Sequence, residues 1–513
     1  MLMATKATKG LLELPPALRR SFWSTASPPP APPPNDGPEI FDLVCVGGGP
    51  AGLSLVSALR SHPSTSALKV ALIDSQELSS KNSGSEDVYS NRCSSLTPSS
   101  LRFLKETGGW NHVDVRRTQP YHMMDVWDGV SGSKIHFNPL DRTPGILDSI
   151  AQAIPGSRWD ASSQKYGEEG AGVVATMCEN GNLTSGLLKR LKELRGVEIM
   201  DKTKVSSINL GPEPKDETSL DLSQWPILTL GDRKLAARLL VGADGANSPV
   251  RQFADIASHG WDYNQHGVVA TLNLDSAFTY SDMRSAYQRF LPTGPIALLP
   301  LPNNKASLVW STSPAYATKL KQLPPASFAA LVNAAFRLMP VDLDYMITQL
   351  PAEEVPTELA WREKATDMAS LGLPSSIPRV ATVQEGSIAS FPLRMRHAST
   401  YTGHRVALLG DAAHTIHPLA GQGLNLGLAD SEALAACIAD GVETGMDIGS
   451  SFCLDKYNSK RWAANNAVMG TVDKLKKLYS ASSGPVVWGR SLGLDLVNRL
   501  GSVKGAIMGA AGR

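Results

Sequence analysis

The chain has 513 residues, 42% hydrophobic and 19% charged, with 49 Lys+Arg against 48 Asp+Glu. Such a length holds roughly two to four domain-sized units with a substantial core, and a net charge of +1 without a long basic run provides no field to recruit nucleic acid. Five cysteines (Cys45, Cys93, Cys178, Cys437 and Cys453), an odd number with no CxxC pair, argue against a disulfide framework or zinc site and fit a reducing compartment.

Residues 1–36 differ from the rest. Lys6, Lys9, Arg19 and Arg20 meet one acid, Glu13, and 27–36 is a Pro-rich tether. No apolar core of the kind a secretory signal needs is present, so the segment reads as a mitochondrial transit peptide cleaved after Arg19-Arg20. No uninterrupted run of about 18 apolar residues occurs, which excludes a membrane-spanning helix.

Folding is expected from residue 41. A strand over 42–46 enters Gly47-Gly48-Gly49-Pro50-Ala51-Gly52, a helix runs to about 62, and a second strand covers 69–74. A surface loop at 76–88, a helix at 97–106 and strands at 123–127 and 134–137 follow, then a polar loop at 157–172. A helix at 183–194 leads to strands at 197–200 and 204–210, a polar hairpin insertion at 211–224, and strands at 227–230 and 239–242. From 266 to 312 the pattern is all strand (266–274, 285–291, 296–301 and 307–311). A helix at 326–338, an irregular Pro-containing stretch at 349–379, and strands at 388–393 and 406–409 complete the middle. An Ala/Leu-rich helix opens at about 421, and helices fill 440–513. No internal repeat is visible.

Gly47-x-Gly49-x-x-Gly52 follows a strand and opens a helix, with Asp74 ending the next strand 22 residues beyond Gly52. The glycines permit a tight turn, backbone approach to a pyrophosphate and helix–sheet packing, while Asp74 suits ribose hydroxyls; FAD and NAD(P) remain equally open on this motif alone. Ala243-Asp244-Gly245 with Arg251 suits a loop folding over a pyrophosphate, although Asp-Gly also serves a plain type I turn. Gly410-Asp411 puts a carboxylate at a strand end, where it suits a ribose or ribityl hydroxyl. The helix start near Gly421 and Gly423 suits an electron-rich carbonyl or anion. His414 and His417 share a turn with Pro418 and lack a third ligand, which argues against a metal. Trp310 and the apolar 290–301 run suit either a substrate roof or core packing.

Gly47–Gly52, Ala243-Asp244-Gly245 and Gly410-Asp411, in this order, resemble the signature of single-component flavoprotein aromatic hydroxylases of the p-hydroxybenzoate hydroxylase type (class A flavoprotein monooxygenases). Asn91–Ser100, Val126-Trp127-Asp128, Glu179-Asn180, 287–300 and Phe391-Pro392-Leu393 are similar to the ubiquinone-biosynthesis branch, over about residues 40–505. The resemblance implies an α/β fold: a Rossmann-like FAD-binding domain (40–138, 177–255 and 400–440) interleaved with an antiparallel β-sheet substrate domain (256–399) and a C-terminal helical region (441–513).

It also implies FAD as cofactor. Gly47, Gly49, Gly52 and Asp74 would hold its ADP half, with Val205 at the adenine; Arg92 and Asn180 would contact it; Asp244 and Arg251 would brace the pyrophosphate. Asp411, following Gly410, would take a ribityl or ribose hydroxyl, and Pro418, Gly421, Gly423, Leu424 and Asn425 would line the isoalloxazine. Asp74 departs from the commoner Glu, and Cys93 and Gly181 are also unusual for the branch. The implied activity is O2-dependent hydroxylation, at ring C5, of a polyprenylated 4-hydroxybenzoate-type ubiquinone precursor through a flavin hydroperoxide. Implied partners are a ferredoxin/ferredoxin reductase pair and a multi-subunit ubiquinone-biosynthesis complex, on the matrix face of the mitochondrial inner membrane. A hydroxylase of a small soluble phenol, a flavin reductase of isoprenoid double bonds, and a non-catalytic FAD-folded scaffold are the alternatives, since fold does not fix function.

Overall fold

Strand order explains how three distant glycine–carboxylate segments meet. In the computed structural model, which describes residues 37–78, 87–138, 172–214, 220–275, 284–366, 377–418 and 421–479, one sheet runs 402–403, 406–408, 233–242, 39–46, 70–73, 197–200. Val70–Ile73 is parallel to both the first strand and Val197–Met200, and Val406–Leu408 is parallel to Arg233–Gly242. The first strand and Val70–Ile73 carry an almost unbroken apolar run because helices cover the sheet, as a parallel sheet requires. Those helices include Pro50–Ser61, Asn180–Leu194 and Gly423–Glu443, the last packed on the first. Close approach there depends on Gly427, where a Cβ would lie 3.3 Å from Gly410 Cα and 3.4 Å from Ala51 Cβ.

The second sheet is ordered 414–415, 389–398, 258–274, 305–312, 294–301, 285–291, 123–128, 134–137, with 380–383 beside 258–274. Its 266–312 portion is antiparallel and contains no α-helix among its described residues, as expected, although its first strand begins earlier, at Ser258. Two placements differ from expectation. Met123–Asp128 and Lys134–Phe137, assigned above to the nucleotide-type segment, join this second sheet, with Met123–Asp128 parallel to Ser285–Leu291. His414–Thr415 also pairs here, with Arg396 and His397. Strand pattern is local whereas pairing is long-range, so sequence located these strands without assigning their sheet. A small third sheet joins Cys93–Leu96, Ala175–Glu179 and Thr118–Tyr121.

The 349–379 stretch, read as irregular, contains the helix Val355–Ala365, and Pro314–Gln322 and Pro340–Thr348 are helices that the reading missed. Prolines misled it. Pro314, Pro340 and Pro356 sit in the first helical turn, where an amide needs no partner and a fixed φ suits helix initiation. These helices and Pro325–Arg337 cover one face of the second sheet, and Trp310 is buried there with Trp127, Phe328 and Phe336, so Trp310 is core and not a roof. The described residues from Ile40 onward form one compact unit. The expected transit peptide, residues 157–171 and the chain after 479 lie outside the described residues. No helix among the described residues is long and apolar enough to cross a membrane.

Candidate functional site

The three motifs close on one another at neighbouring strand ends. Ala243 N donates to Val46 O at 2.7 Å, and Leu409 N donates to Gly242 O at 3.0 Å. Gly47 has φ +113°, and any Cβ there would collide with Ala243 O; a Cβ on Gly52 would collide with Gly47 O. These two glycines are steric requirements of the loop itself. Gly49 and Gly245 differ: a Cβ on either would meet nothing within 4 Å. Gly49 caps the Pro50–Ser61 helix without a side-chain bond, so bare backbone faces open space where a pyrophosphate could approach a helix start.

Each strand end carries its carboxylate. Asp74 Oδ2 accepts from Gly48 N and Oδ1 from Gln76 N, both at 2.7 Å, which holds the glycine loop against the second strand. Val205 lies at this end, partly buried, just beyond Thr203, whose amide donates to Asp74 O. Asp244 Oδ2 accepts from Val250 N at 3.2 Å, while its Oδ1 is buried without a protein partner among the described residues. Burial pushes the Asp244 pKa up, against opposing hydrogen bonds from Ser248 and Val250. A buried oxygen lacking a donor is costly alone and is relieved by a ligand hydroxyl. Arg251 ties two motifs together, donating from Nη1 to Ala412 O and from Nη2 to Ala246 O, each at 2.7 Å.

The 410–425 segment forms the third wall. Gly410 adopts φ +58° and leads into a short turn bearing Asp411. Asp411 is exposed as a residue, yet protein around its carboxyl raises its pKa, with His414 opposing. Gly421 has φ +61° and donates to Pro418 O at 3.1 Å. Gln422 precedes the Gly423–Glu443 helix without a side-chain cap, which leaves the helix start open. Leu424 packs on the core, partly buried.

Arg92 and Asn180 reach this wall through the strand Cys93–Leu96. Asn180 N donates to Arg92 O at 2.9 Å, Ser94 Oγ bonds Asn180 Oδ1 at 2.6 Å, and Ser95 Cβ lies 3.6 Å from where Gly421 would carry a Cβ. The Arg92 side chain itself is exposed. Asn425, expected to face a flavin ring, has a different set of partners. Its Oδ1 accepts from Thr97 N (3.0 Å) and Ser100 Oγ (2.8 Å), and its Nδ2 donates to Ser95 O (2.8 Å) and Gly421 O (3.1 Å). Its amide is saturated by the wall it staples together.

Two groups were missed by sequence reasoning. One is a buried carboxylate, Asp430, bonded to His414 at 2.6 Å; its signal was an acid inside an Ala/Leu-rich helix. The other is an apolar layer formed by Tyr121, Met177, Ala286 and Leu301, packed between the small sheet and the second sheet, with Ser95 Oγ 2.8 Å from Tyr121 OH. Nothing local in sequence marks residues from four strands as neighbours.

Comparison with known proteins agrees with this geometry. The model of a family described as "FAD binding domain" matches residues 41–471. The mitochondrial ubiquinone biosynthesis monooxygenase COQ6 of Schizosaccharomyces pombe is 38% identical over 91% of this chain and 91% of that protein. Its Saccharomyces cerevisiae counterpart is 37% identical over 93% and 95%, and its Homo sapiens counterpart 34% over 92% and 93%. Among solved structures, p-nitrophenol 4-monooxygenase PnpA from Pseudomonas putida superposes with a TM-score of 0.60 at 17% identity, covering 93% of this chain and 99% of that one. P. aeruginosa PqsL in complex with 2-aminobenzoylacetate gives 0.57 at 19%, covering 89% and 100%; at such identities the likeness shows fold alone. The glycine cradle, the orphaned Asp244 oxygen and the capless helix start fit FAD, and the chain belongs to the COQ6 family of ubiquinone biosynthesis monooxygenases, FAD-dependent enzymes built on the FAD-binding domain.

Proposed function

We propose that this monooxygenase hydroxylates the aromatic ring, at C5, of a polyprenylated 4-hydroxybenzoate-type ubiquinone precursor. The observation that carries the reading is membership of the COQ6 family joined to the glycine–carboxylate cradle built by Gly47, Asp244 and Gly410. Bound FAD supplies activation of O2, which phenols lack on their own. The chain's residues do the rest. Gly47, Gly49, Gly52 and Asp74, with Val205, hold the ADP half; Asp244 and Arg251 order the pyrophosphate loop; Gly410 presents Asp411 to a ribityl hydroxyl. Amides at the Gly421–Gly423 helix start, which has no side-chain cap, would hold negative charge on the flavin ring, with Pro418 and Leu424 lining it and Arg92 and Asn180 contacting the cofactor. The apolar layer of Tyr121, Met177, Ala286 and Leu301 packs behind this wall and keeps water from it.

The relatives' mitochondrial names support a mitochondrial location. A membrane-dissolved substrate calls for peripheral docking on the matrix face of the inner membrane, within a multi-subunit biosynthetic complex. Electrons arrive from a ferredoxin/ferredoxin reductase pair. Quinone-intermediate profiling of a deletion strain tests the reading: a prenylated 4-hydroxybenzoate lacking the C5 hydroxyl accumulates, and the wild-type gene clears it. An unchanged intermediate pool, or O2 consumption by the purified FAD protein that no prenylated phenol alters, defeats it.

A further inference from the structure

Asp430 lies within the Gly423–Glu443 helix, fully buried, and four donors converge on its carboxylate. Oδ2 accepts from His414 Nε2 at 2.6 Å and from Gly410 N at 3.2 Å. Oδ1 accepts from Arg461 Nε at 2.7 Å and Asn465 Nδ2 at 3.0 Å. The donors come in two pairs. Gly410 and His414 bracket the turn that carries Asp411; Arg461 and Asn465 belong to the helix Ser451–Tyr479, far along the chain. Arg461 Nη2 also bonds Asn465 Oδ1 at 2.6 Å and approaches Leu426 O, in the first turn of the Gly423–Glu443 helix, at 3.5 Å. Asn465 Nδ2 reaches Tyr401 OH at 3.1 Å, which in turn bonds His397 Nε2 at 2.9 Å.

A buried carboxylate is retained at the expense of desolvation, and packing alone would be served as well by an apolar side chain. What this carboxylate does that leucine cannot is hold a backbone amide. Gly410 sits in the left-handed region, and the bond to its N–H anchors the Leu409–Gly410 peptide from which the chain turns into Asp411. Resting on the reading that Asp411 and the Gly421–Gly423 start meet the ribityl–isoalloxazine half of FAD, we propose that Asp430 is a positioning residue for that half. Arg461 and Asn465 make the C-terminal helix part of the flavin site without touching the flavin. The ADP half, held at Gly47–Gly52 and Asp74, does not depend on this network.

The test separates the two halves. In purified full-length protein stripped of flavin, Arg461→Met and Asp430→Asn are compared with wild type for the Kd of FAD, the Kd of ADP, and the Tm of the apoprotein. Ile448→Val, a buried position outside the network, is the control for general destabilisation, and Lys460→Ala the control for charge on the same helix. Both network variants are expected to raise the Kd of FAD at least tenfold while ADP stays within twofold of wild type; both controls leave both constants unchanged. An FAD constant within twofold of wild type in a folded Arg461→Met overturns the proposal, as does parallel loss of FAD and ADP. Loss of fold in both network variants also overturns it, since the network would then belong to the core alone. Wild-type protein that binds no FAD would instead refute the underlying site reading, an outcome Gly49→Val serves to calibrate.

Discussion

The carbonyl oxygen of Ala243 occupies the space where any side chain on Gly47 would lie, so the first glycine loop can close only against the second motif's backbone. Two segments nearly 200 residues apart are thus one structural unit. Gly47 also needs φ +113°, a conformation that L residues avoid.

The glycines of one motif should therefore fail differently. Gly47→Ala is expected to destabilise the apoprotein by several kcal/mol, the range for strain and overpacking at such a site. Gly49→Val, in open space at a helix start, should leave the apoprotein Tm close to wild type while lowering FAD affinity at least tenfold. Differential scanning fluorimetry of stripped protein and flavin fluorescence titration together measure both. Equal losses of Tm in the two variants would contradict the assignment.

Arg251 bridges Ala246 O and Ala412 O and so joins the second and third motifs. Arg251→Met keeps the stem but removes both bonds, each worth about 1–2 kcal/mol for a charged donor at a partly exposed site. FAD binding should weaken by about tenfold, with the Tm of flavin-free protein falling by only a few degrees. A titration by fluorescence quenching of added FAD reads the first quantity.

Asn425 satisfies all four of its hydrogen-bonding positions with Thr97, Ser100, Ser95 and Gly421. Asn425→Leu strands those groups in a buried setting and should lower unfolding free energy by about 2–4 kcal/mol. Asn425→Asp keeps the acceptor for Thr97 and Ser100, loses both donors, and buries a charge, so no rescue is expected. Urea denaturation of each variant is the measurement, and retention of wild-type stability by either would refute the staple.

Acid stability should fall in two steps. Burial, with Lys476 adding to it, depresses the His417 pKa to about 4 from an ordinary 6.5. The unfolded chain then binds the proton more readily, so stability is lost as pH falls from about 6.5 to about 4, by up to roughly 3 kcal/mol. Asp430 behaves in the other range. Desolvation raises its pKa, but His414 and Arg461 outweigh this and hold it at about 2, so its contribution of order 2 kcal/mol is present above pH about 4 and vanishes toward pH 2. Tm measured across pH 3–7 should show the first step in wild type and a shallower one in His417→Phe. Identical profiles would exclude His417 as its source.

Much of this molecule is written locally. The glycine spacing at 47–52, Asp74, Asp244-Gly245 and Gly410-Asp411 were legible because tight turns, helix starts and strand ends depend on the residues that form them. The βαβ opening and the all-strand 266–312 portion were legible for the same reason. The helices at 314–322, 340–348 and 355–365 mark the limit of that logic: each opens with a proline in its first turn, and a proline's effect depends on its position within a turn. Only tertiary structure placed Met123–Asp128 in the second sheet, gave the Asn425 amide its four partners, and set Arg461 against Asp430. These are decisions about which distant partner satisfies a strand edge, an amide or a buried charge. Such partners are chosen by three-dimensional packing and desolvation, and no window of neighbouring residues records them.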